Sequence, residues 1–121
     1  MSVFQNIAAD RILLKGEYFF IIKDGFPVSP GHLLIISNEI KEDYFSLSEA
    51  EKLDLPTMIQ KAKQLVEEDY KPDGYNIGMN CGESAGQTVM HFHCHVIPRY
   101  IGDADNPRGG VRHCIPNKGN Y

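Results

Sequence analysis

Apolar and polar positions along this chain follow two rhythms, one of strands and one of a helix. Ile12-Leu13-Leu14 reads as a short strand, and Gly16 turns the chain into Tyr18–Ile22, a β-rich run stopped by Lys23-Asp24-Gly25. After a loop holding Pro27 and Pro30, His32–Ile36 is apolar on both faces, which predicts a central strand. Phe4 and Ile7 lie three apart and predict a helical turn over residues 3–8. The helical rhythm belongs to residues 46–70, where Leu55, Ile59, Ala62 and Leu65/Val66 recur at turn spacing. Ser46-x-x-Glu49 and Ser48-x-x-Glu51 both fit a capping box. Pro56 predicts either a first helix ending near Leu55 or a kink there. Lys71-Pro72-Asp73-Gly74 stops the helix. Tyr75–Asn80 is then a fourth strand, Gly82–Gly86 a loop, and Thr88–Ile97 a fifth strand. The expected class is α+β: an antiparallel sheet of about five strands with one main helix and a short N-terminal helix. No repeat or linker divides the chain, so residues 1–121 read as a single domain, with 101–121 a basic C-terminal tail.

The fifth predicted strand carries the informative pattern. Three of the five histidines fall within five residues, at His91, His93 and His95, and alternate with Met90, Phe92, Cys94 and Val96. On a strand this alternation places the imidazoles on one face and the apolar residues on the other, toward the helix. Three imidazoles in a row are costly as core residues, because each buried ring nitrogen needs a partner. A three-histidine metal site is the main competitor, with His32 or His113 as a ligand from elsewhere, but one straight strand splays its side chains along a line. Metal-free nucleophilic catalysis suits the row better. A neutral imidazole attacks phosphorus and forms a bond that water later breaks. His93, with a histidine on each side, is the nucleophile on geometry, and either His91 or His95 serves the leaving group. Just before the row, Gly82, Gly86, Gln87 and Thr88 offer backbone N–H groups, an amide and a hydroxyl suited to phosphate oxygens.

Charge sharpens this picture. The net charge of -4 argues against a nucleic-acid partner. Residues 1–97 hold 8 Lys/Arg against 14 Asp/Glu, whereas residues 98–121 hold 4 (Arg99, Arg108, Arg112, Lys118) against 2. A positive tail on a negative body suggests that Arg108, Arg112 and Arg99 bind distal phosphates. Three cysteines without a CxxC pair, no long apolar run and no leader-like start lead us to expect a cytoplasmic protein with no membrane contact.

The run His91-Phe92-His93-Cys94-His95-Val96-Ile97 resembles the signature of the histidine triad (HIT) family, His-φ-His-φ-His-φ-φ with φ apolar. The longer run from Gly86 to Arg99 is most similar to the fragile-histidine-triad branch of dinucleoside polyphosphate hydrolases, and Pro30-Gly31-His32 resembles that family's Pro-Gly-His segment. The resemblance implies a nucleotide hydrolase with no cofactor and no metal. It would act on the α-phosphate of nucleoside phosphoramidates or dinucleoside polyphosphates through a phosphohistidine on His93. It implies that His91 and His95 are flanking donors and that His32 orients the triad. Asp24 would bind ribose hydroxyls, and Asn80, Gln87 and Thr88 would approach the phosphate. Phe4, Ile7 and Ile22 would line a purine pocket. Asn80 stands where the fragile-triad branch carries Gln, and His95 where the uridylyltransferase branch carries Gln, which favours transfer to water. The resemblance also implies a homodimer. The alternative expectation is a nucleotide-binding sensor or interaction module with slow hydrolysis.

Overall fold

The computed structural model describes residues 2–121. Five strands form one sheet: β1 (Ile12–Lys15), β2 (Phe19–Lys23), β3 (Leu33–Ser37), β4 (Gly74–Gly78) and β5 (His93–Arg99), in the order β1-β2-β3-β5-β4. Every neighbouring pair is antiparallel. β3 is the middle strand, and all five of its residues are buried, as its unbroken apolar run requires.

The two faces of the sheet have different covers. Phe19, Ile21, Leu33, Ile35, Cys94 and Val96 face the helix α1 (Glu49–Asp69) and pack with Leu55, Met58, Ala62 and Val66. Ile22, Leu34 and Ile36 face the opposite way and are covered by Phe4, Ile7, Ile12 and Phe20. The register Leu34↔His95 and Ile36↔His93 puts both histidines on this second face, under the N-terminal 3₁₀ turn Val3–Asn6. No helix of the described residues is long and apolar enough to cross a membrane.

Three local features differ from the sequence pattern. The helix uses one capping box only: Ser48 Oγ accepts from Glu51 N at 3.1 Å and Glu51 Oε1 accepts from Ser48 N at 2.7 Å. Ser46 instead ends the separate 3₁₀ turn Tyr44–Ser46, capped by Asp43. Pro56 does not end the helix, which runs unbroken from Glu49 to Asp69. Its ring sits on the exposed side, where water can serve the carbonyl that the ring leaves unpaired. The third difference matters most for function. β5 begins at His93, not Thr88: Ser37 N of β3 still donates to Phe92 O at 3.3 Å, but Phe92 N donates to Lys41 O, beyond the end of β3, at 2.6 Å. His91 therefore lies outside the strand, and Met90 is exposed rather than turned toward the helix.

Candidate active site

The site is assembled from two chain segments, and the first is the β2–β3 loop. Gly31 has φ +89°, and a Cβ there would stand 3.0 Å from the Tyr70 ring, so glycine is required on both counts. The turn delivers His32 to the start of β3, and Asp24 N closes the loop on His32 O at 3.0 Å. Val28 N–H donates to His32 Nδ1 at 3.1 Å. That nitrogen is an acceptor, so the ring proton of neutral His32 sits on Nε2. His32 Nε2–H points at His95 Nδ1, 2.9 Å away, with Asp24 Oδ2 at 3.2 Å. His95 Nδ1 thus accepts, and the His95 proton sits on Nε2.

The second segment is the start of β5. His93 Nδ1 lies 2.8 Å from the His91 carbonyl oxygen, which only accepts. His93 Nδ1 carries the proton, and its Nε2 keeps a lone pair. The rings of His93 and His95 are 5.4 Å apart. Among the described residues no side chain or backbone group bonds either Nε2. One backbone amide, one carbonyl and one hydrogen bond between rings thus place a nucleophilic nitrogen beside an N–H donor on one face.

The remaining expected site residues are placed unevenly. His91 is 1% exposed, with Nδ1 2.8 Å from Ser2 Oγ and Nε2 2.7 Å from Ser37 O. Both its nitrogens are occupied, so it does not share the open face of His93 and His95. The Gln87 side chain is also buried. Its Oε1 accepts from Gly82 N at 2.8 Å, and its Nε2 donates to Glu42 O at 2.6 Å and Val89 O at 3.1 Å. Those three bonds brace the loop, whereas Asn80, Gly86 and Thr88 are exposed. Phe4 and Ile7 line a cavity of about 440 Å³, together with Ile12, Phe20, Lys15 and Asn38. Ile22 is buried in the apolar layer beneath it. Phe4 meets the rings of His91 and His93 edge-on at 5.6 and 5.1 Å. Arg99 is tied to Asp103 by two bonds, at 2.8 and 2.7 Å, and to Asn76. Arg108 and Arg112 stack on the Tyr121 ring at 4.7 and 4.8 Å.

Asp24, His32 and His95 place three ligand atoms within 4.8 Å of one another. An ion held there would need the Nε2 lone pair of His32. The Val28 amide opposes the tautomer that frees this lone pair, so the donor set favours the hydrogen bond from His32 to His95 over a metal. His113, the other outlying histidine, spends its Nε2 on Arg108 O at 2.7 Å. Cys94, between the two catalytic candidates, is fully buried, and burial pushes its thiol up to about 12, which makes it an inert core residue.

Sequence reading passed over Ser2, the Val28 amide, Ser37, Lys15 and Asn38. Val28 and Ser37 act through main-chain atoms, which leave no side-chain signal. Ser2 did carry one, since Ser2-x-x-Gln5 is a capping box.

Three imidazoles are held below their ordinary basicity. Burial is the largest cause for each; His93 adds to it at His91 and His95, and Asp24 opposes it at His32 and His95. A histidine with a depressed folded pKa binds fewer protons folded than unfolded. Its contribution to stability is complete above the unfolded value of 6.5 and declines as pH falls from there toward the folded values. We therefore expect a melting temperature that is level above about pH 7 and falls progressively toward pH 5. Differential scanning calorimetry across that range checks it, and a melting temperature that rises on acidification would contradict the buried, neutral assignment.

The HIT domain family matches residues 5–102. The AP-4-A phosphorylase of Mycobacterium tuberculosis is 32% identical over 95 residues, which cover 78% of this chain and 49% of that protein. This chain thus spans about half the length of that relative. The bis(5'-adenosyl)-triphosphatase of Dictyostelium discoideum is 35% identical over 100 residues, covering 83% of this chain and 67% of its own. Among solved structures, a HIT family member from Bacillus subtilis superposes with a TM-score of 0.76 at 28% identity, covering 84% of this chain and 75% of that one.

Proposed function

We propose, on the premise that this chain belongs to the HIT domain family, that it hydrolyses nucleotides at the α-phosphorus through a covalent His93 intermediate. The observation that carries the reading is the pair of opposite tautomers: a lone pair on His93 Nε2 and a proton on His95 Nε2, side by side. The His93 lone pair attacks the α-phosphorus and forms a nitrogen–phosphorus bond. The bond from phosphorus to the leaving atom breaks and its electron pair stays on that atom: an oxygen in a dinucleoside polyphosphate, held by the His95 N–H, or a nitrogen in a phosphoramidate, which takes a proton from solvent as it leaves. Water then attacks phosphorus and gives its proton to solvent, and the nitrogen–phosphorus electron pair returns to His93. Nucleoside monophosphate leaves, and the ring is restored.

The substrates that fit are dinucleoside polyphosphates and nucleoside phosphoramidates. The names of the two relatives support the dinucleoside polyphosphates, and the cavity lined by Phe4, Ile7 and His91 supports a purine base. Asp24 is assigned to the ribose. Asn80 and Thr88, exposed near the start of β5, are assigned to the phosphates together with the backbone at Gly86. Arg108 and Arg112 are assigned to distal phosphates, which would draw them from the Tyr121 ring. Two copies would join at α1 and β4, the latter an edge of the sheet in one copy.

Incubation with a labelled dinucleoside polyphosphate, and separately with adenosine phosphoramidate, tests the proposal. The expected result is release of nucleoside monophosphate and an acid-labile label trapped on the protein in single turnover. Tight binding without turnover would instead support a nucleotide sensor, and stoichiometric zinc with loss of activity on chelation would support a metal mechanism.

A further inference from the structure

We infer that Ser2 is a positioning residue of this site: its hydroxyl donates to the buried Nδ1 of His91 and so pins the N-terminal turn that walls the cavity lined by Phe4, Ile7 and His91. The argument starts from the hydrogen bonds of Ser2. Its N–H donates to Gln5 Oε1 at 2.8 Å, and its Oγ accepts from Phe4 N at 3.1 Å. The hydroxyl has one proton, and the acceptor that remains for it is His91 Nδ1, 2.8 Å away. On the other side of that ring, Nε2 lies 2.7 Å from Ser37 O, which can only accept. That carbonyl fixes the His91 proton on Nε2, so Nδ1 keeps its lone pair and the Ser2 hydroxyl donates to it.

The consequence reaches the cavity. A four-residue 3₁₀ turn has too few internal bonds to hold itself. Ser2 is where its start is fastened to the body of the domain. The next residue but one, Phe4, stands edge-on to His91 and His93 and lines the cavity with Ile7. Without the Ser2 hydroxyl, His91 Nδ1 is left as a buried acceptor with no donor, which is unfavourable. The other tautomer gives no relief, because it would also take the donor from Ser37 O; the ring is relieved when the turn moves and lets water reach Nδ1. Movement of the turn loosens the wall that receives the base, a loss felt equally in ground state and transition state.

The test uses the full chain with Ser2→Ala and Ser2→Thr. In the unaltered protein and in Ser2→Thr, nitrogen NMR of labelled histidines should show His91 solely as the Nε2–H tautomer. In Ser2→Ala the Nε2–H tautomer should persist, held by Ser37 O, and the His91 Nδ1 resonance should shift downfield because its donor is lost. With a dinucleoside polyphosphate as substrate, Ser2→Ala should raise KM about tenfold with kcat changed less than about threefold, and Ser2→Thr should restore KM. An unchanged His91 Nδ1 resonance in Ser2→Ala would overturn the inference, as would a fall in kcat at constant KM, which marks only a smaller folded fraction. The kinetic arm rests on the nucleotide reading above, and the spectroscopic arm needs no substrate. A chain that turns over no nucleotide would therefore defeat that reading alone, and an unchanged His91 Nδ1 resonance would defeat this one alone.

Discussion

His93→Ala will lower kcat/KM for a dinucleoside polyphosphate by at least about 10⁴-fold, with nucleotide binding retained. The effect is large because the alanine removes the atom that forms the covalent bond, and no neighbour can replace it. His91 has both nitrogens engaged and lies outside the strand, and His95 presents a proton rather than a lone pair. Binding survives because Asp24 and the Phe4–Ile7 cavity are separate from the His93 ring nitrogen. Single-turnover kinetics, labelled-adduct trapping and calorimetric titration together check this. A variant that still forms the adduct, or that keeps more than about a hundredth of the activity, would show that the nucleophile is another group.

The second large effect falls on His95. Removing the N–H that holds the leaving oxygen should cost about 10²–10³ in kcat, the usual loss for one such donor. His32 touches no substrate atom in this scheme; it acts by keeping His95 in the tautomer with its proton on Nε2. His32→Ala should therefore cost less than His95→Ala, about 10–100-fold. The double variant should be no worse than His95→Ala alone, because two residues that work as one unit are not additive. Steady-state kinetics of the three variants form the cycle. Fully additive losses would mean that His32 serves the reaction by some route other than His95.

The triad and the fold were legible to different depths. Alternation of apolar residues with His93 and His95 told which side of the strand faces the helix, since the period of two belongs to any strand. The same alternation over-reached at His91. A period of two can extend through residues that leave the ladder, and here the Phe92 N–H goes to Lys41 O, beyond the end of β3. Gln87 shows a similar limit. As a residue type it suits phosphate, but three polar backbone groups lie within its reach, and burial commits it to them. Arg99 likewise reads as a free cation in the sequence, although Asp103, one helical turn's spacing along, holds it in a bidentate pair.

From its residue order alone this chain specifies five strands, one capped helix and a strand face bearing imidazoles, because periodicity, caps and turn residues act over a few neighbouring positions. Tertiary structure decided which nitrogen of each imidazole holds the proton. That choice depends on a backbone amide at Val28, a carbonyl at His91 and a ring from another strand. Hydrogen-bond partners brought together across 63 residues of sequence leave no local pattern, yet they separate the nucleophile from the donor.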